Sequence, residues 1–298
     1  MRTARVVLLL TVVLATLAAP SALTAEPAFG QPSASAPLGQ PVVVTSTITA
    51  VEEGSTVEVL LGMDGHEQKI VVPAAPSGNG GEWTATAELD VPSAVECTCY
   101  ADGHSPPNSP IQFQFRVRAA DGTLTFGPVG NVLVEDDRFA WRALEQGLVR
   151  VHWYEGDQAF AQAAADVANG AIDRAAELLG STLPEPVDLF IYATQDALLE
   201  AVSPARENIA GEAHAQIQTM FVWIGPNDDR TESDVTIAHE LTHLVFNEAT
   251  FNQYHEPSRW LNEGVAVYLS EGYSNSFRGV VEVSALTGQL IPLQGLAG

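Results

Sequence analysis

The sequence predicts two domains of different class, an all-β sandwich followed by an α+β domain. Three observations carry this. Residues 110–118 ("PIQFQFRVR") alternate apolar and polar almost without exception, the mark of a half-buried strand. Residues 157–180 ("DQAFAQAAADVANGAIDRAAELLG") have the apolar spacing of a helix and end on glycine. Beyond residue 138, strands first alternate with helices, and then helices take over.

The 298 residues are 46% hydrophobic, enough to bury two modest cores. The formal charge is −24, from 13 Lys+Arg against 37 Asp+Glu. That balance excludes nucleic acid and anionic membrane surfaces as partners, because both would repel the chain. The N-terminus carries Arg2 and Arg5, an apolar run from Val6 to Ala19, then Pro20 and small residues. This is the pattern of a bacterial-type secretory signal over residues 1–25, cleaved near Ala25. A secreted or extracytoplasmic location follows. The run is short for a membrane span, and an uncleaved N-terminal anchor is the only membrane contact the sequence allows.

Residues 26–136 form the predicted sandwich. "PVVVTSTITAV", "STVEVLLGM", "HEQKIVVPAA" and "EWTATAELDV" are β-branched or partly alternating runs, separated by turn signals such as "MDG" and "SGNGG". In the strand at 110–118, Ile111, Phe113, Phe115 and Val117 face one way, and Gln112, Gln114, Arg116 and Arg118 the other. About seven short strands at this spacing predict an immunoglobulin-like or fibronectin-like sandwich. His66 and His104 lie near turns and read as surface residues. Cys97 and Cys99 are too close in sequence for an easy disulfide and too few for a metal site, so they read as incidental thiols or a strained bridge.

Residues 137–298 form the second predicted domain. "VEDDRFAWRALEQG" reads as the junction. "LVRVHWYEG" and "PVDLFIYA" read as strands, "TQDALLEAV" as a short helix, and "AQIQTMFVWIG" (215–225) as a strand. Two helices follow, one containing "TIAHELTHLVFNEAT" and one spanning "PSRWLNEGVAVYLSEG". Thr231 or Ser233 is the expected cap of the first.

His239, Glu240 and His243 fit the pattern H-E-x-x-H. Residues four apart on a helix differ by about 40° around the axis, so both imidazoles face one side and can share one metal ion. Glu240 then reaches a water at the same ion. The alternative is a core helix with two satisfied histidines, but that leaves a buried carboxylate without a partner, which is costly. Catalytic zinc sites take three protein ligands. Glu263, separated from His243 by nineteen residues, is the candidate third; His255, in a loop beside Pro257, is the competitor. For the outward nitrogens of the histidines the sequence offers Asn262, Glu248 and Glu256, without a choice among them.

"HELTH" followed by "WLNEGVAVY" resembles the gluzincin metallopeptidases. The pairing is similar to their aminopeptidase branch and to bacterial peptidase MA-like proteins that place a sandwich-like region first. Here the gap is one residue longer than in the aminopeptidases, and their G-x-M-E-N segment is absent. The strong match spans residues 239–268. It implies a thermolysin-like α+β fold and one Zn2+ per chain on His239, His243 and Glu263. It further implies peptide or protein substrates, with Glu240 as general base taking a proton from water and passing it to the leaving amine. The family's oxyanion donor is a Tyr or His downstream of the third ligand, which leaves Tyr268 and, second, Tyr273. A cleft-lining strand implies a substrate pocket at Met220, Phe221 and Trp223. A further helical part normally closes the cleft, so the resemblance implies chain beyond residue 298. Two other readings stay open: a non-catalytic extracellular or cell-surface binding protein with an inactive zinc domain, and another zinc hydrolase on the same scaffold. Oligomeric state is not legible.

Overall fold

The computed structural model describes residues 25–63, 69–77, 81–87, 105–202, 209–252 and 257–292. The signal segment 1–24, both cysteines, His66, His104 and His255 lie outside the described residues.

Among the described residues, nine strands form the N-terminal part: β1 (Ala28–Phe29), β2 (Ser33–Ser35), β3 (Val42–Thr49), β4 (Thr56–Met63), β5 (Ile70–Pro73), β6 (Ala75–Pro76), β7 (Glu82–Ala87), β8 (Pro110–Arg118) and β9 (Leu124–Leu133). They make two antiparallel sheets. One runs β1-β3-β7-β6 with β2 also on β3; the other runs β5-β4-β8-β9. The alternation in β8 decides its orientation. Ile111, Phe113, Phe115 and Val117 are buried with Val42, Val44 and Ile48 of the other sheet in one shared core. On the opposite face Arg116 donates to Glu58 at 2.7 Å. Gly130 sits across from Phe113, whose ring lies 2.5 Å from where a Cβ would stand, so no larger residue fits there.

The chain then crosses to a third, mixed sheet: β10 (Arg142–Gln146), β11 (Val149–Trp153), β12 (Val187–Tyr192), β13 (Gly211–His214) and β14 (Thr219–Trp223), in the order β10-β11-β12-β14-β13. The three central strands are parallel, and β10 and β13 are antiparallel at the two edges. The crossover between β11 and β12 is helix α1 (Gln158–Leu179). It starts where Asp157 accepts from the Phe160 amide at 2.9 Å and stops at Gly180, φ 69°. Its buried face is mostly alanine (161, 164, 165, 168, 171, 175), which lets it lie close against helix α3 (Arg230–Thr250). Ile237, Leu241, Leu244 and Val245 of α3 complete that core with Leu189, Ile191, Met220 and Val222 of the sheet. Helix α2 (Gln195–Val202) covers the other face of the sheet beside Phe190, Tyr192 and Phe221. Helices α4 (Arg259–Ser270) and α5 (Asn275–Leu286) follow α3.

The junction is held by a buried carboxylate. Asp136 accepts from Tyr192 Oη at 2.8 Å and from two guanidinium nitrogens of Arg138 at 2.8 and 2.7 Å. These bonds offset the cost of burying its charge. Phe139 stacks on Tyr154 at 4.0 Å. From the first part of the chain, Asn108 reaches Asp188 and Thr219 at 3.2 and 2.8 Å.

Three details differ from the sequence reading. The "RALEQ" stretch of the expected junction is strand β10, turned back at Gly147 (φ 58°). The single strand expected over 215–225 is a 3-10 turn at Ala215–Ile217, a left-handed Gln218 and then the shorter β14. Strand β13 precedes it, unannounced because "GEAH" has no β-branched residue. Among the described residues no helix is long and apolar enough to cross a membrane.

Candidate functional site

Helix α3 begins at Asp229, whose side chain accepts from the Thr231 amide at 2.9 Å. This corrects the expectation of a Thr231 or Ser233 cap: the preceding aspartate supplies the oxygen and Thr231 supplies the N–H. The apolar side of α3 faces α1 and the sheet. That orientation turns His239 and His243 toward α4, where both are half-buried. Their rings stand 4.8 Å apart and nearly perpendicular.

Glu263 meets them from α4. Its Oε2 lies 3.5 Å from His239 Nε2 and 3.7 Å from His243 Nε2. One ligand atom from each of the three residues falls within 4.8 Å of the others. Tetrahedral zinc with bonds of about 2.0–2.1 Å places its ligand atoms roughly 3.3–3.4 Å apart. The donor set and its spacing therefore fit such an ion. The tautomer fits as well. His243 Nδ1 stands 2.8 Å from Asn262 Oδ1. An amide oxygen can only accept, so Nδ1 carries the proton and Nε2 keeps its lone pair toward Glu263. Among the described residues Asn262 takes this place, supplied by the residue before the third carboxylate; Glu256 lies outside the described residues. Burial, then the neighbouring His243, hold the His239 pKa below its ordinary value, against the pull of Glu263. A neutral imidazole is the form that ligates.

Glu240 lines the same cleft and packs against β13. Burial above all, then the charges of Glu212 and Glu263, push its carboxyl up to about 8, and the Ala213 N–H opposes the rise. A dication nearby acts in the same direction as that N–H, favouring the carboxylate. Gly211 makes the packing feasible, because a Cβ there would come within 2.8 Å of Glu240 Cγ and 3.1 Å of the Phe221 carbonyl. A cleft of about 410 Å³ opens over this group, lined by Gly211, Glu212 and Ala213 on one side and by His239, Glu240, His243 and Glu263 on the other.

Two expectations are corrected by position. Strand β14 is flanked by β12 and β13, and Met220 and Phe221 are fully buried in the sheet. Trp223 packs beside the α2 cluster. None of the three lines the cleft; the edge strand that does is β13. Tyr268 and Tyr273 are more than half exposed and border a different pocket, beyond Glu263. No tyrosine lines the cleft among the described residues. His214 is buried edge-on to Phe221, with Nε2 3.6 Å from Glu212. His152 stacks on Phe190 and lies 2.6 Å from Asp188, in a polar group apart from the cleft. Sequence reasoning missed Gly211 and Glu212, for which a lone glycine before an unremarkable strand was the only signal.

A family model described as the Peptidase MA superfamily matches residues 167–298, from within α1 to the end of the chain. No curated protein matches. Among solved structures the chain is similar to an M1 zinc metallopeptidase mutant from Deinococcus radiodurans, at 13% identity over 90% of this chain and 76% of that one, with a TM-score of 0.33. It is also similar to a purple acid phosphatase from yellow lupin seeds (10% identity, 69% of this chain, TM-score 0.26) and a cell-surface chitinase from Paenibacillus (10%, 93%, 0.27). The chain spans 35% of the lupin enzyme's length and 17% of the chitinase's. At these scores the overlaps carry no functional argument.

Proposed function

We propose that the chain is a secreted zinc-dependent peptidase, with His239, His243 and Glu263 as ligands of one ion and Glu240 as general base. The carrying observation is the convergence of two imidazole nitrogens and one carboxylate oxygen beside a second, half-buried carboxylate on the helix that bears the histidines. The match to the Peptidase MA superfamily supports it. So does the Asn262 bond, which prepares His243 as a ligand.

A divalent ion in such a set supplies a Lewis acid for a carbonyl oxygen and makes water acidic near neutral pH. The chain's own residues do the rest. Glu240, as carboxylate, accepts the proton of the attacking water at its Oε and delivers it to the leaving nitrogen. Burial keeps that carboxyl basic enough to hold the proton between the two steps. Gly211 and Ala213 lie on the outer edge of the sheet beside the cleft, so an extended peptide can add to β13 as a further strand. Residues 26–136 are, in this reading, an accessory immunoglobulin-like sandwich, and residues 1–25 a signal that directs export.

The test is cleavage of casein or a quenched-fluorescence peptide library by the full chain, by Glu240→Gln, and by wild type treated with a chelator. Hydrolysis in the wild type alone, restored after chelation by added zinc, supports the proposal. A zinc-loaded, folded wild type that cleaves nothing contradicts it.

A further inference from the structure

We propose that Asn108 is a positioning residue through which the N-terminal sheets hold one end of the cleft. It acts through Thr219 on the turn at 215–218. The use of the cleft as a peptide groove rests on the peptidase reading; the mechanical link does not.

Asn108 is placed to reach outward. Residues 106–109 form a turn closed by the Ser109 N–H on the Pro106 carbonyl at 3.3 Å, with Asn108 at φ 67°. This fits a type II turn, which favours proline at its second position and needs a left-handed residue, usually glycine, at its third. Asparagine tolerates that conformation and adds a side-chain amide. The Asn108 backbone N–H donates to the Val134 carbonyl at 2.8 Å, which ties the turn to the chain just after β9. Its Nδ2 crosses to the third sheet and donates to Thr219 Oγ1 at 2.8 Å and to Asp188 Oδ2 at 3.2 Å. Asp188 is itself fixed by His152 at 2.6 Å and Arg150 at 3.1 Å.

Thr219 passes the restraint on. It is fully buried and opens β14, opposite His214 of β13. Its hydroxyl accepts from Asn108 and donates to the Ile217 carbonyl at 2.9 Å. The Asp188 N–H donates to the Gln218 carbonyl at 2.9 Å. Two carbonyls of the turn are thus held by residues that Asn108 bonds. The same turn presents Ala215 and Gln216 to the cleft. Thr219 shares the sheet face of Phe221, which packs with α2, whereas the cleft lies on the α3 side. Neither Asn108 nor Thr219 lines the cleft, so any effect of the pair on substrate passes through the turn. Gln216 stands at most about 10 Å along the chain from Ala213, whose N–H meets Glu240. A peptide laid along β13 would reach the turn about two to four residues from the bond cut.

The test is hydrogen exchange and steady-state kinetics on the full, zinc-loaded chain and its variants. Asn108→Gly suits the left-handed position and removes only the amide. Thr219→Val removes the hydroxyl at similar volume, and Thr219→Ser keeps it. Loss of one such bond predicts about tenfold faster exchange of the 215–219 amides in Asn108→Gly and Thr219→Val, with α1 unchanged. KM for a quenched-fluorescence decapeptide should rise about threefold or more in both, with kcat altered less than about twofold. Thr219→Ser should behave as wild type, and Asn108→Gly should add nothing to Thr219→Val. Wild-type exchange at 215–219 in both variants, faster exchange spread equally over α1, additive effects in the double variant, or an unchanged KM each overturns the inference. Cleavage by wild type and variants alike, with no difference among them, removes the link and leaves the peptidase reading standing. The predicted exchange pattern in a series whose wild type hydrolyses no decapeptide keeps the link and removes that reading.

Discussion

Gly211→Ala tests the role of Glu240 without replacing a ligand or a titrating group. The added methyl carbon would stand 2.8 Å from Glu240 Cγ, 3.1 Å from the Phe221 carbonyl and 3.1 Å from Val222 Cγ1. Ordinary contact begins near 3.4 Å, so Glu240 must yield by about 3.4 − 2.8 = 0.6 Å. The backbone oxygen blocks the opposite escape. Overpacking of this kind costs about 1–3 kcal/mol, offset in part by the roughly 0.4–1 kcal/mol that alanine returns by restricting the unfolded chain. The expected net loss of stability is about 1 kcal/mol, read as a small drop in Tm. Catalysis should suffer more. A displacement near 1 Å can cost about 100-fold in rate, so about 0.6 Å predicts a kcat down roughly tenfold. KM should hold and the metal content should not change. Steady-state kinetics on a quenched peptide, with zinc measured on the same sample, reads all three. A Gly211→Ala protein with wild-type kcat would refute the assignment of Glu240 as the base. Loss of zinc would show instead that β13 supports the ligands.

Three further outcomes are expected. Asn262→Ala should weaken metal affinity about 10- to 100-fold, measured by chelator competition, because His243 loses the partner that orients it. In the metal-free protein, the raised Glu240 pKa makes the folded state bind its proton more tightly than the unfolded state. Stability is then greatest below the unfolded value of 4.5 and falls as pH rises toward about 8. Glu240→Gln should remove that slope and be the more stable chain at pH 7, by an amount on the order of 3 kcal/mol; parallel pH-stability curves for the two proteins would count against it. Asp136→Ala should cost about 3–5 kcal/mol in denaturant unfolding, because it strands the Tyr192 hydroxyl and part of the Arg138 charge in a buried junction; a loss under 1 kcal/mol would show the junction is held by its aromatic packing.

Much of the helical architecture was legible because it is written in period and punctuation. Asp157 and Gly180 bracket α1, and the alanines between them repeat at helical spacing. The shared face of His239 and His243 follows from their separation by four on such a helix. The alternation in β8 likewise states which of its residues are buried. What stayed hidden depends on tertiary neighbours. "GEAH" has no strand signal, yet it becomes β13 because β14 offers it an edge and Glu240 needs the space at Gly211. Met220 and Phe221 look equally suited to a pocket or a core, and only the order β12-β14-β13 decides for the core. The choice of Asn262 over Glu248 depends on how α4 is rotated against α3, which spacing alone does not fix.

The central claim is that His239, His243 and Glu263 hold one metal ion. Elemental analysis of the purified full chain beside Glu263→Ala, after dialysis against zinc and then buffer, tests it most directly. The account predicts about one zinc per wild-type chain and a loss of most of it in the variant, with both proteins folded by circular dichroism. A folded wild type that retains no zinc, or a variant that retains as much as wild type, would contradict it.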